Sequence, residues 1–417
     1  MARFPGSLSR RRFVWLSAVA GGTLALGGCA GSEDVETSEP GSSTTFDDAQ
    51  PTAGAGEEAP ASADSSSAVA DRLGAMTLEQ KVAQLFVVAP EALVEGVSQV
   101  TQAGDMTHEG LTRWPVGGIV YFAPNLLDPT QTTDMLANVK QFYEADGNVT
   151  PFLAVDEEGG SVVRIADNET FDVPDVGDAS ALGSAGDPAA AKQAAQAIAD
   201  YLKPLGFNLD FAPVADVVDP SRSDTMGLRS FSSDATVAAG MVRAEVEGFE
   251  AAGLLCCAKH FPGIGSAAGD SHDGSITIEK TVEELEEVDF VPFKAAIEAG
   301  VPLIMVGHLN LPNVIGDETP ASLSTKVVQD LLRDKLGYTG IVVTDSLAMG
   351  AITDRYSSAE AAVAALQAGC DIPLMPEDFS AAYQGVLDAV AAGDLTEERI
   401  DESVTRILAA KAKYLQA

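Results

Sequence analysis

The sequence predicts an α/β protein built as a single TIM-type (β/α)8 barrel. Three observations carry that expectation. About eight short apolar runs, each long enough for a buried strand, alternate with stretches carrying apolar residues at helical spacing, the pattern of βαβ units on a parallel sheet. Unusual polar residues gather just after several of those runs, where a barrel of this type collects its chemistry. After Met375 only short helical sequence follows, so no second large domain fits, and residues 68–417 lie within the range of one barrel.

Taken in order, the strand candidates are Leu85 to Ala89, Gly118 to Phe122, Phe152 to Val155, Phe207 to Phe211, Leu254 to Ala258, Leu303 to Val306, Ile341 to Thr344 and Ile372 to Met375. Thr77-Leu78-Glu79-Gln80 reads as a capping box that opens a helix into the first of them. Further helices are expected over Pro188 to Leu202, Asp234 to Ala252, Thr281 to Ala299, Ser324 to Leu336, Ser358 to Ala368, Phe379 to Ala392 and Glu397 to Leu415. Arg406, Lys411 and Lys413 on the last of these read as a solvated face with charges suited to a helix C-terminus.

Ahead of the barrel the composition changes twice. Ser9-Arg10-Arg11-Arg12-Phe13-Val14 resembles a twin-arginine export signal, and the apolar run Phe13 to Leu26 is too short and Gly-rich for a comfortable membrane span. It ends in Leu26-Gly27-Gly28-Cys29, which resembles the lipobox of bacterial lipoproteins and implies lipidation of Cys29. Residues 1–28 are therefore expected to be a signal peptide, and the protein to be exported and lipid-anchored on the outer face of a bacterial cell membrane. Residues 29–67 are Ser, Thr, Gly, Pro, Ala, Asp and Glu with few large apolar side chains, a flexible acidic tether. The formal net charge of -37 argues against a nucleic-acid partner, which such a chain would repel. Cys256, Cys257 and Cys370 lie in apolar stretches, with no spacing that suggests a disulfide framework or zinc. Neither a metal nor another cofactor is expected, and a monomer is the simpler assembly.

The densest stretch is Cys256 to Asp273, C-C-A-K-H-F-P-G-I-G-S-A-A-G-D-S-H-D. Lys259 and His260 stand where the fifth strand should end, and Pro262, Gly263 and Gly265 break regular structure. Asp270 and His272 follow on the loop. A carboxylate two residues before a histidine can orient the ring and raise its proton affinity, as a general acid needs. The same pair is also compatible with a solvated loop or a turn cap. After the third strand comes Asp156-Glu157-Glu158-Gly159-Gly160 with Arg164 beyond it. After the fourth come Pro213, Asp216 and Gly227-Leu228-Arg229-Ser230-Phe231, and the sixth and seventh strands end in His308 and Asp345. Singly, Asp156 or Asp345 could cap a helix, the arginines could lie on the surface, and His308 could be a core histidine. Jointly they would leave one barrel face with several buried charges and no use for them.

Lys259-His260-Phe261-Pro262-Gly263-x-Gly265, then Asp270-Ser271-His272 after four residues, resembles the signature of the bacterial β-N-acetylglucosaminidases of glycoside hydrolase family 3, the NagZ-like enzymes. Ile264 departs from the His or Leu usual in that family. Asp156 with Arg164 is similar to the family's Asp-x-Glu-Gly-Gly and trailing Arg at the same interval, and Arg229 lies in a stretch similar to Gly-x-Arg-Ser-Phe. The resemblance implies that Asp156, Arg164, Arg229, Lys259 and His260 hold the hydroxyls and acetamido group of a terminal amino sugar. It further implies that Asp345 is the nucleophile and His272 the general acid/base of a retaining exo-β-N-acetylhexosaminidase acting on muropeptides or related glycans. The chemistry agrees: a retaining glycosidase needs an attacking carboxylate and a second group that protonates the leaving oxygen. Asp345 ends a buried strand, and His272 lies on a Gly-flanked loop from which it is expected to swing over the sugar, Asp270 stabilising its imidazolium. A phosphorylase using the same groups and a surface lipoprotein that binds muropeptides without cleaving them are the alternatives.

Overall fold

A computed structural model describes residues 63–219, 221, 225–265 and 276–415. Nine strands are present among them: β1 (Val87–Val88), β2 (Gly118–Val120), β3 (Phe152–Val155), β4 (Leu209–Asp210), β5 (Leu255–Phe261), β6 (Ile276–Thr277), β7 (Leu303–Val306), β8 (Leu309–Asn310) and β9 (Ile341–Thr344). Seven of them form one parallel sheet in the order β1-β2-β3-β4-β5-β7-β9, while β6 pairs with β8 beside it. Helices connect the strands and cover the sheet, which explains why its strands read as unbroken apolar runs rather than alternating ones. Residues 372–374 bridge both edges: Ile372 pairs with Val343 of β9 and Leu374 with Val87 of β1. The stretch expected as an eighth strand thus makes ladder contacts on both sides while being too short to count as one.

Local chemistry sets the helix starts. Thr77 and Gln80 form the anticipated reciprocal capping box before Leu78–Gln84, and Asp128, Asp187, Asp234 and Asp378 accept N–H groups at the heads of four more helices. The helix ending at Leu205 stops at Gly206, whose φ of 108° a side chain rarely adopts. A further helix, Ala63–Ala75, starts before the expected end of the tether at Ser67.

Four expectations need correction. Lys259 and His260 are not beyond the fifth strand but inside it, since β5 continues to Phe261. The helix expected over residues 281–299 is two, Val282–Glu287 and Phe290–Glu298, separated where the buried Asp289 carboxylate turns to Lys280 Nζ at 2.5 Å. The one expected from Ser324 is wound as a π-helix over Lys326–Lys335. Lys411 is not on a solvated face: it is 3% exposed, and Arg406 reaches the fully buried Asp371 at 2.9 Å. Residues 1–28, Cys29 and most of the tether lie outside the described residues.

Candidate active site

Because every strand of the sheet is parallel, the carboxyl ends of β3, β5 and β9 emerge on the same side. A cleft of about 430 Å³ opens there, and Asp156, Arg164, Arg229, Lys259, His260 and Asp345 all line it. Six residues spread over almost two hundred positions of sequence are thus brought to one cavity. Successive side chains of a regular strand point to opposite faces. The register of β5 against β7 slips between Ala258 and Phe261, and Lys259 and His260 both reach the cleft.

The charges form a chain. Lys259, 2% exposed, holds Asp156 at 2.8 Å and Glu158 at 2.6 Å. Arg229 grips the same Glu158 with two donors, Nε at 2.7 Å and Nη2 at 2.8 Å. Arg164 approaches Asp156 at 3.8 Å. Burial works against the charges on Lys259 and Glu158, and the opposite charges overrule it. The Lys259 ammonium is held above its ordinary range by Asp156 and Glu158, and the Glu158 carboxyl is held well below its own by Arg229 and Lys259. Lys259 and Glu158 are thus ionised at neutral pH, and the network offers donors and acceptors of fixed position for a polyhydroxylated ligand.

Asp345 follows β9 directly, and its N–H donates to Val306 O of β7 at 2.8 Å, which fixes the backbone. Its Oδ1 accepts the Ser346 N–H at 2.7 Å. Burial pushes the Asp345 carboxyl up, but His260, His308, the Ser346 amide and Lys259 together bring it below the ordinary value, so it is a carboxylate at neutral pH. His308, one of the ambiguous residues, is a satisfied buried histidine next to the site. Its Nε2 meets the Ser346 carbonyl at 2.9 Å and its Nδ1 the Ser322 hydroxyl at 2.7 Å. A carbonyl only accepts, so Nε2 carries the proton and Nδ1 takes the hydroxyl's hydrogen. That neutral tautomer agrees with burial lowering its pKa.

Asp216 fixes His260. One oxygen meets the ring Nδ1 at 2.8 Å, and the other accepts the Ile264 N–H at 2.7 Å, so a single carboxylate orients the imidazole and ties down the turn after β5. Glu158 and Asp216 hold the cationic and imidazole side chains of the cleft in place, although sequence reasoning assigned them no role. The available signal was a second acid beside Asp156, and an acid at a strand end as suggestive as the others. Asp270 and His272, expected as orienter and acid/base, lie outside the described residues. Among the described residues no group of three or more His, Cys, Asp or Glu side chains could hold a metal ion.

Residues 77–410 match the family described as glycosyl hydrolase family 3 N terminal domain. A beta-hexosaminidase A of Pseudoalteromonas piscicida is 32% identical over 74% of this chain and 55% of its own length. A beta-hexosaminidase of Mycobacterium tuberculosis, LpqI, is 33% identical over 79% of this chain and 82% of its own. The structure of a glycoside hydrolase family 3 beta-N-acetylglucosaminidase from a Paenibacillus species is similar at a TM-score of 0.76 and 37% identity, covering 82% of this chain and 64% of that one. The chain therefore spans only a little over half of the Pseudoalteromonas relative and under two thirds of the Paenibacillus one.

Proposed function

The chain belongs to glycosyl hydrolase family 3, and from that premise we propose that it is a retaining exo-β-N-acetylhexosaminidase that removes terminal N-acetylglucosamine from muropeptides or related glycans. The observation that carries the proposal is one cleft in which an ionised, strand-anchored Asp345 faces the Asp156–Lys259–Glu158–Arg229 network. The names of the relatives, beta-hexosaminidases and a beta-N-acetylglucosaminidase, support the choice of an amino sugar.

In this reading the network, with Arg164 and His260, holds the terminal sugar by its hydroxyls and acetamido group. An Asp345 oxygen attacks the anomeric carbon as the bond to the leaving oxygen breaks, and His272 protonates that oxygen. The neutral imidazole then takes a proton from water, which displaces Asp345 and releases the sugar with its configuration retained. Asp270 stabilises the imidazolium that donates in the first step and forms again in the second. We also read residues 372–374 as the stave that closes the seven-stranded sheet into a (β/α)8 barrel, and Cys29 as a lipid anchor on an exported protein.

Turnover of an aryl β-N-acetylglucosaminide by wild type and by Asp345→Asn tests the central assignment. A loss of about 10⁴-fold in kcat is expected for the variant, on the scale of removing a covalent nucleophile. Full activity of Asp345→Asn sinks the assignment. Product analysis with and without phosphate should give free N-acetylglucosamine in both, whereas sugar 1-phosphate would make the protein a phosphorylase.

A further inference from the structure

One buried carboxylate beside the cleft has no part in the chemistry above. Glu157 is fully buried between Asp156 and Glu158, and its two oxygens accept four hydrogen bonds. Oε2 takes the backbone N–H groups of Arg164 at 2.5 Å and Ile165 at 3.0 Å, and Oε1 takes those of Ala166 at 2.9 Å and the Tyr201 hydroxyl at 2.9 Å. Its own N–H donates to Asp210 Oδ1 at 2.9 Å. Three consecutive amides converge on one side chain, which fixes the backbone that follows Val163.

The Arg164 side chain needs that help. Among the described residues its guanidinium has a 3.5 Å bond to the neighbouring Val163 carbonyl, the 3.8 Å approach to Asp156, and the Phe122 ring at 5.9 Å. None of these contacts is tight enough to fix a long side chain. Its place in the cleft is therefore set mainly from its backbone. We propose that Glu157, braced by Tyr201, is a positioning residue that presents the Arg164 guanidinium to the terminal sugar. The inference rests on the sugar-binding reading of the cleft. A carboxylate is required, because a glutamine has one acceptor oxygen and would turn an N–H₂ toward the Ala166 amide.

A double-mutant cycle over Glu157→Gln and Arg164→Ala tests it, read by the Kd for N-acetylglucosamine in calorimetry, by KM and kcat on the aryl substrate, and by hydrogen exchange at the amides of residues 164–166. Glu157→Gln should weaken Kd and raise KM by about 10-fold with a smaller change in kcat, the scale of a lost set of hydrogen bonds to a charged group. It should also expose the three amides, and in the Arg164→Ala background it should cost almost nothing more. Tyr201→Phe removes one donor only and should show the same pattern at about 3-fold, which keeps the test open if the first variant does not fold. Additive costs, or exposed amides with unchanged Kd, would overturn the positioning role while leaving the sugar-binding reading intact. Wild type with no affinity for N-acetylglucosamine would overturn that reading and this inference together.

Discussion

Two lysines are buried almost equally, at opposite ends of the same parallel sheet, and burial does opposite things to them. Lys259, at the carboxyl end of β5, is 2% exposed and touches two carboxylates, which hold its ammonium above the ordinary range. Lys411, 3% exposed, reaches back to the residue before β2 and donates to Gln84 Oε1 at 2.9 Å and Gly117 O at 2.8 Å. Its Nζ lies 4.8 Å from the centroid of the ring of Phe152, the first residue of β3. Neither of its hydrogen-bond partners carries a charge, and burial brings its pKa down to about 7. Dipoles satisfy an ammonium's hydrogens; they do not replace the water that stabilised its charge. The sheet therefore has one end where opposite charges keep each other ionised and another where a lone amine can become neutral.

Removing the first lysine should be the costlier change. Lys259→Met leaves Asp156 and Glu158 without the cation between them, and breaking a buried pair from one side costs about 3–5 kcal/mol. Denaturant unfolding should show that loss, and saccharide affinity should fall below detection in calorimetry. A folded variant of wild-type stability that still bound sugar would mean that Arg164 and Arg229 suffice, and the contrast between the two ends would fail.

That contrast was half legible. The cleft end could be read because Asp156, Arg164, Arg229, Lys259, His260 and Asp345 follow apolar runs, and a parallel sheet sends every strand's carboxyl end to one side. The boundary of β5 was misread because a charged pair looks like the end of a strand. It continues because Asp156, Glu158 and Asp216 lie across from it, and sequence order does not show what lies across. The break in the helix expected over residues 281–299 was hidden for the same reason, since Asp289 turns inward to a partner outside that helix. Lys411 was misread although a clue existed. Two residues along a helix amount to about 200° of rotation, so Lys411 and Lys413 cannot share a solvated face.

The second lysine gives a pH signature. Its pKa is 10.5 in the ordinary state and about 7 in the fold, so between those values the unfolded chain binds the extra proton and the folded chain does not. Stability of the wild type should climb with pH across that window, the burial penalty being complete below its lower edge. Lys411→Met has no such slope. The difference in unfolding free energy between the two should move by about 2–3 kcal/mol in favour of wild type from pH 6 to pH 9. Parallel curves would show that Lys411 keeps its charge without a carboxylate, and that the two ends of the sheet treat an ammonium alike.

Lys413 calibrates both results, because it shares the helix with Lys411 and differs only in what surrounds it. Its side chain is 61% exposed, and among the described residues the carboxylate it pairs with, Glu250, stands 3.5 Å away. An exposed pair at that distance is screened by water and loses side-chain entropy in forming. Lys413→Met should therefore change unfolding free energy by less than about 0.5 kcal/mol, at pH 6 and pH 9 alike. The prediction is small but discriminating. If a charge on this helix acted through the long-range field of a chain with net charge -37, removing a cation at either position would shift stability in the same direction. If desolvation governs, only the buried one responds to pH. A difference from wild type that moved with pH for Lys413→Met as it does for Lys411→Met would assign the effect to overall charge and remove the case for a neutral amine at the base of the sheet.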